Sequence, residues 1–283
     1  MARRMWLVGE PLHAVTYFAP ESFAAWEAAG VHGFWRGYFA TRAAPFGAVG
    51  PAVVTATFFN FAPSMIERAL PGVWELVSPE AALAARVEGA VAALRTILGG
   101  GVDGATVVAT VDSVRAAVDA CGAEGRSLFA ANAALPWPDE PVAALWHGLT
   151  CLREHRGDGH NAALVAAGLD GAEAHLLAGA LGTGGADAAS RRAARGWSDE
   201  EWDAATARLV ARGLLDPAGS ATVEGRRLHE EVEQRTDLAA ARPWAALGEE
   251  RTTALEATLR PWAQAVSRSG VVRFPNPMGL PPT

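Results

Sequence analysis

Lysine is absent from this chain. All 24 basic residues among its 283 are arginine, which excludes Schiff-base lysine chemistry and a Walker-type phosphate loop. Cysteine is scarce: Cys121 and Cys151 are too few for a disulfide framework, and no C-x-x-C pair occurs. Positive charge is in deficit, with 31 acidic residues against 24 basic ones, a net charge of −7 and a pI near 5.5. That balance argues against a general polyanion binder, because phosphate neutralisation needs a concentrated basic surface. A lysine-free chain rich in alanine and glycine reflects a GC-rich coding bias, so its arginines are not read wholesale as phosphate clamps. No segment reaches the roughly 18 uninterrupted apolar residues that span a bilayer. The first ten residues start basic, but Glu10, Pro11 and His13 arrive too soon for a leader's apolar stretch, so a soluble, cytoplasmic protein is expected. G-x-S-x-G, H-E-x-x-H, Rossmann and EF-hand motifs are missing, and nothing signals a nucleotide or nicotinamide cofactor. Gly182-Thr183-Gly184-Gly185 lies between helices and reads as a loop.

What remains is helical and apolar. Half the residues are hydrophobic and mean hydropathy is +0.11, enough for a substantial core. Pro20 opens a helix over Glu21–Ala29, and Ser78-Pro79-Glu80 caps one that runs to Leu98 before three glycines. Further helices are expected over Val107–Asp119 and Val142–Arg156. Arg156-Gly157-Asp158-Gly159-His160 then reads as a tight turn, with Gly157 closing one helix and Asp158 capping the next, Asn161–Gly168. After Gly171 the texture changes. Two short helices, Ala172–Ala180 and Ala186–Ala194, precede the capping box Ser198-Asp199-Glu200-Glu201 of a third. A strand, turn and strand over Gly213–Val223 and a helix over Glu224–Leu238 complete the order of a winged helix-turn-helix of the MarR-like kind. A last helix over Trp244–Ser267 is expected to break near Pro261, and the proline-rich tail from Phe274 to lie extended across another surface. The expected fold is mainly α: a helical ligand-binding domain over 1–165, a winged-helix-like domain over 166–240, and a C-terminal helix and tail packing back over 241–283.

The stretch Trp146–His160 carries most of the reactive side chains. His147, Cys151 and His155 recur at i, i+4 and i+8, so they share one helix face and are candidate metal ligands, with haem as a weaker option. The plain alternative is the second buried side of a central helix, and no fourth ligand is apparent. His147, His155 and Asp158 are the candidates for acid–base catalysis, with an imidazole as base and the carboxylate orienting it. Arg153, His155, Arg156 and His160 gather around Asp158, a grouping able to hold an anionic or carbonyl-bearing ligand. Arg36 stands among Phe34, Trp35, Tyr38 and Phe39, either as a cation–π structural residue or as the polar anchor of an apolar cavity. His13 and Tyr17 project together at i, i+4, and Trp35, Phe58 and Phe59 are candidate walls. The expected recognition helix, Ser198–Arg212, opens on acidic residues and would be repelled by phosphates. DNA contact would fall to Arg191, Arg192 and Arg195 before it and to Arg226 and Arg227 beyond the wing.

Pro11–Phe18, Gly33–Phe39, Arg153–His160 and the Pro275-Asn276-Pro277 tail together resemble an actinobacterial, Streptomyces-type helix-turn-helix family. The resemblance spans nearly the whole length. It implies a fold and carries no catalytic residue across. The function expected is binding of a small, largely apolar or aromatic molecule in the helical half, with readout by a winged-helix regulator and a homodimer as the candidate assembly. An enzyme of specialised metabolism using His/Asp/Arg chemistry in the same pocket is the alternative, and a scaffold without a pocket the third.

Overall fold

Two long helices that show no clean apolar stripe form the centre of the molecule, because both are covered on several sides. A computed structural model describes residues 1–102, 104–183, 188–274, 276 and 279–281. The first central helix, α1 (Ala2–Phe18), runs through Pro11 and buries residues all round its circumference. It was not expected from the sequence, where Pro11 reads as a helix breaker. The second, α9 (Pro141–Ala166), packs against α1 and against the helices introduced below.

Helix α2 (Pro20–Ala28) lies along α6 (Pro79–Leu98), and Gly89 allows the close approach: a Cβ there would stand 2.5 Å from the Cα of Ser22. Between them in sequence come α3 (Phe34–Ala43), α4 (Pro51–Phe58) and the short α5 (Pro63–Glu67). Ser78 caps α6 as its sequence foretold, accepting from the amide of Ala81. Helices α7 (Ala105–Asp119) and α8 (Ser127–Ala133) flank α9. Gly148 of α9 meets α7, where a Cβ would fall 2.4 Å from Val114 Cγ1.

The chain beyond Ala166 forms α10 (Gly171–Ala180), α11 (Ala188–Arg195), α12 (Asp199–Ala211) and α13 (Val223–Ala239). Capping boxes at Asp170 and Ser198 start α10 and α12. The expected pair of strands is reduced to one antiparallel bridge, Leu215 with Ala221; no strand forms among the described residues. Asp216 explains why: its Oδ1 accepts from the amides of Ala218 and Ser220, closing a turn that leads at once to Thr222, the cap of α13. Helices α14 (Arg242–Leu247) and α15 (Glu249–Ser269) follow, α15 packing on α1. The break lies at Gly248, with φ +83°, and not at Pro261, which α15 accommodates within its length. In the tail, Val272 and Leu280 join the same apolar cluster as α1. Gly184 and Gly185 of the glycine loop, Ala186 at the start of the expected second short helix, and Pro275, Pro277, Met278 and Pro282 of the tail lie outside the described residues.

The expected turn at Arg156–His160 does not exist. Helix α9 passes through it unbroken. Gly159 serves helix packing instead, since a Cβ there would stand 2.8 Å from Arg126 Nη1 and 3.0 Å from Ala239 Cβ. Asp158 caps a different helix across space: its Oδ2 accepts from the amide of Phe129 at 2.9 Å, in the first turn of α8.

Candidate functional site

A cavity of about 770 Å3 lies between the helical half and the segment beyond Gly171. Helices α1, α3 and α9 supply one side, and α10, α11 and α13 the other. Its size falls within the range of roughly 300–1,000 Å3 typical of small-molecule sites. A second hollow of about 440 Å3 adjoins it, sharing Thr57, Phe61, Asp158 and Asn161 as common wall.

The polar floor is a chain of buried ion pairs. Glu154 receives Arg42 in a forked contact at 3.3 and 3.2 Å and Arg153 at 2.7 Å, and Arg153 also reaches Glu10 at 3.3 Å. Burial alone would raise the Glu154 carboxyl, but Arg153 and Arg42 override it and hold it well below the usual carboxylate range. Arg42 donates onward to the Tyr38 hydroxyl at 3.0 Å and stacks on Phe58 at 4.2 Å. Tyr17 also faces the cavity, its hydroxyl held by His13 Nε2 at 3.1 Å, while His13 Nδ1 meets Thr150 at 2.9 Å. Burial pushes the Tyr17 phenol up to about 12 and drives His13 well below its ordinary value, so both are neutral near pH 7.

The aromatic wall is built on α3 and the chain after α4. Tyr38, Phe39, Phe58 and Phe61 pack with ring centroids 5.2–6.5 Å apart, and Trp35 lies 5.8 Å from Phe61. Helix α11 closes the far side. The carbonyl of Arg195 accepts from the amide of Ala62, and Trp197 Nε1 donates to the Asn60 carbonyl at 3.2 Å, which docks α11 onto this wall. The Arg195 guanidinium stacks on Phe61 at 4.5 Å and donates to His175 Nε2 at 3.3 Å.

Of the ligand contacts expected from the sequence, Tyr17, Trp35, Phe58, Arg153 and His160 line the cavity, and Asp158 does too. His13, Arg36, Phe59, His147 and His155 do not. Arg36 is exposed on the outer side of α3; Arg42, one turn from Tyr38, takes the position among the aromatics that was expected of it. Phe59 turns out of α4 with φ +51° and lines the adjoining hollow. His13 acts from behind, by holding Tyr17.

The expected catalytic imidazoles are packed elsewhere. His147 abuts the edge of Trp137 at 5.0 Å and contacts Cys151 Sγ at 3.7 Å; His155 lies against Phe129 at 5.1 Å. Burial is the main cause pushing both down to about 4, with Arg86 and Arg115 acting on His147, and Arg126 and Arg242 on His155. Neither reaches the cavity that Asp158 faces. No group of three His, Cys, Asp or Glu side chains able to hold a metal occurs among the described residues. One helical turn separates each member of the His147/Cys151/His155 series, yet different neighbours draw the two rings apart.

Beyond Gly171 the DNA-contact candidates divide between the cavity wall and local pairs. Arg191 and Arg195 face the cavity, not the outer surface. Arg192 pairs with Asp199, Arg227 with Glu224 and Glu231, and Arg226 donates to the Ala221 carbonyl. On α12, Arg208 bonds Asp170 and Glu173, while Arg212 caps the carbonyls of Ala167 and Gly168 at the end of α9. The profile of a helix-turn-helix family matches residues 2–273. The chain belongs to this helix-turn-helix family. No curated protein and no solved structure matches it. Family membership suggests a DNA-binding, regulator-like protein. No helix among the described residues is long and apolar enough to cross a membrane.

Missed by the sequence reading were Glu10, Arg42, Glu154 and the inward role of α11. The i, i+4 spacing of Tyr38 and Arg42 and the adjacency of Arg153 and Glu154 were the local signals available; Arg42 with Glu154 and Arg153 with Glu10 join residues more than a hundred positions apart.

Proposed function

We propose that this protein is a ligand-responsive regulator in which the helix-turn-helix segment forms one wall of a small-molecule site. The ligand is a largely apolar or aromatic molecule held against Trp35, Phe58 and Phe61. The observation that carries this reading is the shared ownership of the cavity: α1, α3 and α9 on one side, α10, α11 and α13 on the other. A ligand bound between two such bodies favours whichever mutual orientation it contacts best, and so biases the DNA-binding element. The division into a ligand-binding domain over 1–165, a MarR-like winged element over 166–240 and a C-terminal segment packing back is part of the proposal. In it α12 is the recognition helix, and a cytoplasmic homodimer engages paired half-sites.

Electrophoretic retention of the DNA flanking its own coding sequence tests this at 50 and 200 mM salt. Arg192, Arg226 and Arg227 are the three basic candidates left on the outer face. Three phosphate contacts per protomer, six for the dimer, predict a loss of about 2,000-fold in affinity between those concentrations. Retention of that DNA over an unrelated duplex, altered by occupancy of the cavity, is the expected result. No retention at 50 mM salt removes the regulator and leaves a binding protein without DNA output.

A further inference from the structure

Two of the imidazoles that line the cavity, His160 and His175, make hydrogen bonds that decide which ring nitrogen carries the proton. Thr236 fixes His160. Its hydroxyl donates to the Val232 carbonyl at 2.8 Å, one helical turn back, and so has no hydrogen left for His160 Nδ1 at 2.9 Å. Thr236 Oγ1 is therefore the acceptor and Nδ1 the donor. Burial, with Arg156, His229 and Arg3 acting in the same direction, lowers His160 to about 4. Near pH 7 the ring holds that one proton, and Nε2 presents a bare lone pair. Among the described residues Thr236 is the only hydrogen-bond partner of His160, so this lone pair is open. His175 differs, because Arg195 donates to its Nε2 at 3.3 Å. Asn161, the next residue on α9, donates to the Thr57 carbonyl at 2.9 Å, which ties α9 here to the end of α4 beside Phe58. The open acceptor and the aromatic wall are thereby brought to one part of the cavity, where Leu164, one turn beyond His160, adds apolar lining. An acceptor in such surroundings favours a ligand that brings a donor, and an analogue without one leaves it unpaired at a cost.

Resting on the cavity reading above, we propose that the ligand is a phenol: its rings lie against Phe58 and the adjoining aromatic wall, and its hydroxyl donates to His160 Nε2. The chain makes the same kind of pair from within in this cavity, where the Tyr17 hydroxyl meets His13 Nε2 at 3.1 Å. An ether or carbonyl oxygen cannot replace the hydroxyl, since Nε2 accepts and does not donate in this tautomer. His160 stands on α9 and Thr236 on α13, so the grip on the hydroxyl depends on how the helical half and the segment beyond Gly171 sit together.

The test compares 2-naphthol, uncharged at pH 7, with its methyl ether, 2-methoxynaphthalene. Each is titrated against the full chain as a competitor of the fluorescent reporter N-phenyl-1-naphthylamine. The naphthol should bind at least tenfold more tightly than the ether. His160→Phe should reduce that preference at least fivefold. Thr236→Val keeps the side chain's shape but removes the acceptor for Nδ1–H, which frees the proton to move to Nε2, and should reduce the preference at least threefold. Equal affinity of naphthol and ether for the unmodified protein overturns the phenol assignment and leaves the cavity reading standing. A preference that His160→Phe leaves unchanged overturns the placement on His160, and one that Thr236→Val leaves unchanged overturns the tautomer beneath it. Binding of neither reporter nor competitor removes the cavity reading itself. The comparison on the unmodified protein needs no variant, and the near-isosteric Thr236→Val keeps the placement open to refutation even if His160→Phe fails to fold.

Discussion

Replacing Glu154 by glutamine removes one negative charge from the polar floor and changes almost nothing else in shape. Its carboxylate is 1% exposed and binds Arg42 through a forked pair at 3.3 and 3.2 Å and Arg153 at 2.7 Å. Glutamine keeps one acceptor oxygen but directs two N–H donors at guanidinium groups that are themselves donors only. Two buried arginines would then share Glu10, which already bonds Arg153. Breaking a buried pair by removing one partner costs about 3–5 kcal/mol, because the remaining charge is left uncompensated in a poorly solvated site. Urea unfolding followed by both tryptophan fluorescence and far-ultraviolet circular dichroism should show a loss of that size with little change in slope. The pH dependence gives an independent check. A carboxyl held below its unfolded value of about 4.3 stabilises above that pH, and the contribution fades as pH falls below it. Glu154→Gln should therefore remove part of the acid sensitivity of the parent protein. A loss under 1 kcal/mol, with the acid limb unchanged, would show that the floor is solvated or that Arg42 and Arg153 reorient freely, and the reasoning fails.

The parts of the fold that sequence made visible are those signalled by local chemistry. Ser78 and Ser198 cap helices because their hydroxyls meet amides three residues on, a relation contained within one turn. Helix α1 escaped because Pro11, midway along it, reads as a breaker. The false turn at Gly157–Gly159 came from treating glycine as a backbone signal when Gly159 is there for the closeness of Arg126 and Ala239. Half the expected cavity residues line the cavity because an aromatic-rich half must gather its rings somewhere. Its charged floor could not be foreseen: Glu10, Arg42 and Glu154 are joined only by tertiary structure. Helix α11 shows the limit most clearly. Arg191, Arg192 and Arg195 look alike in sequence as phosphate contacts, yet docking through Ala62 and Trp197 turns the first and last inward and leaves Arg192 beside Asp199. Composition alone never says which way a basic helix faces.

Gly89→Ala should destabilise by about 1–3 kcal/mol, since its Cβ would stand 2.5 Å from Ser22 Cα and backbone must move to admit it. A thermal midpoint within 1 °C of the parent would mean that α2 and α6 separate without cost. Asp158→Asn should act in the opposite sense to Glu154→Gln. Burial is the main cause that raises the Asp158 carboxyl to about 6, against about 3.9 unfolded, and the amide of Phe129 only partly offsets it. A raised carboxyl favours the folded state when protonated, so its contribution is present at low pH and is lost as pH rises from about 4 to about 6. Asparagine stays neutral and still accepts from Phe129, so the variant should nearly match the parent near pH 4 and exceed it by about 2–3 kcal/mol near pH 7.5. Denaturant midpoints taken across that range read the difference directly. A variant less stable than the parent at pH 7.5 would mean that the ionised carboxylate, acting on the amides at the start of α8, outweighs the cost of burying its charge.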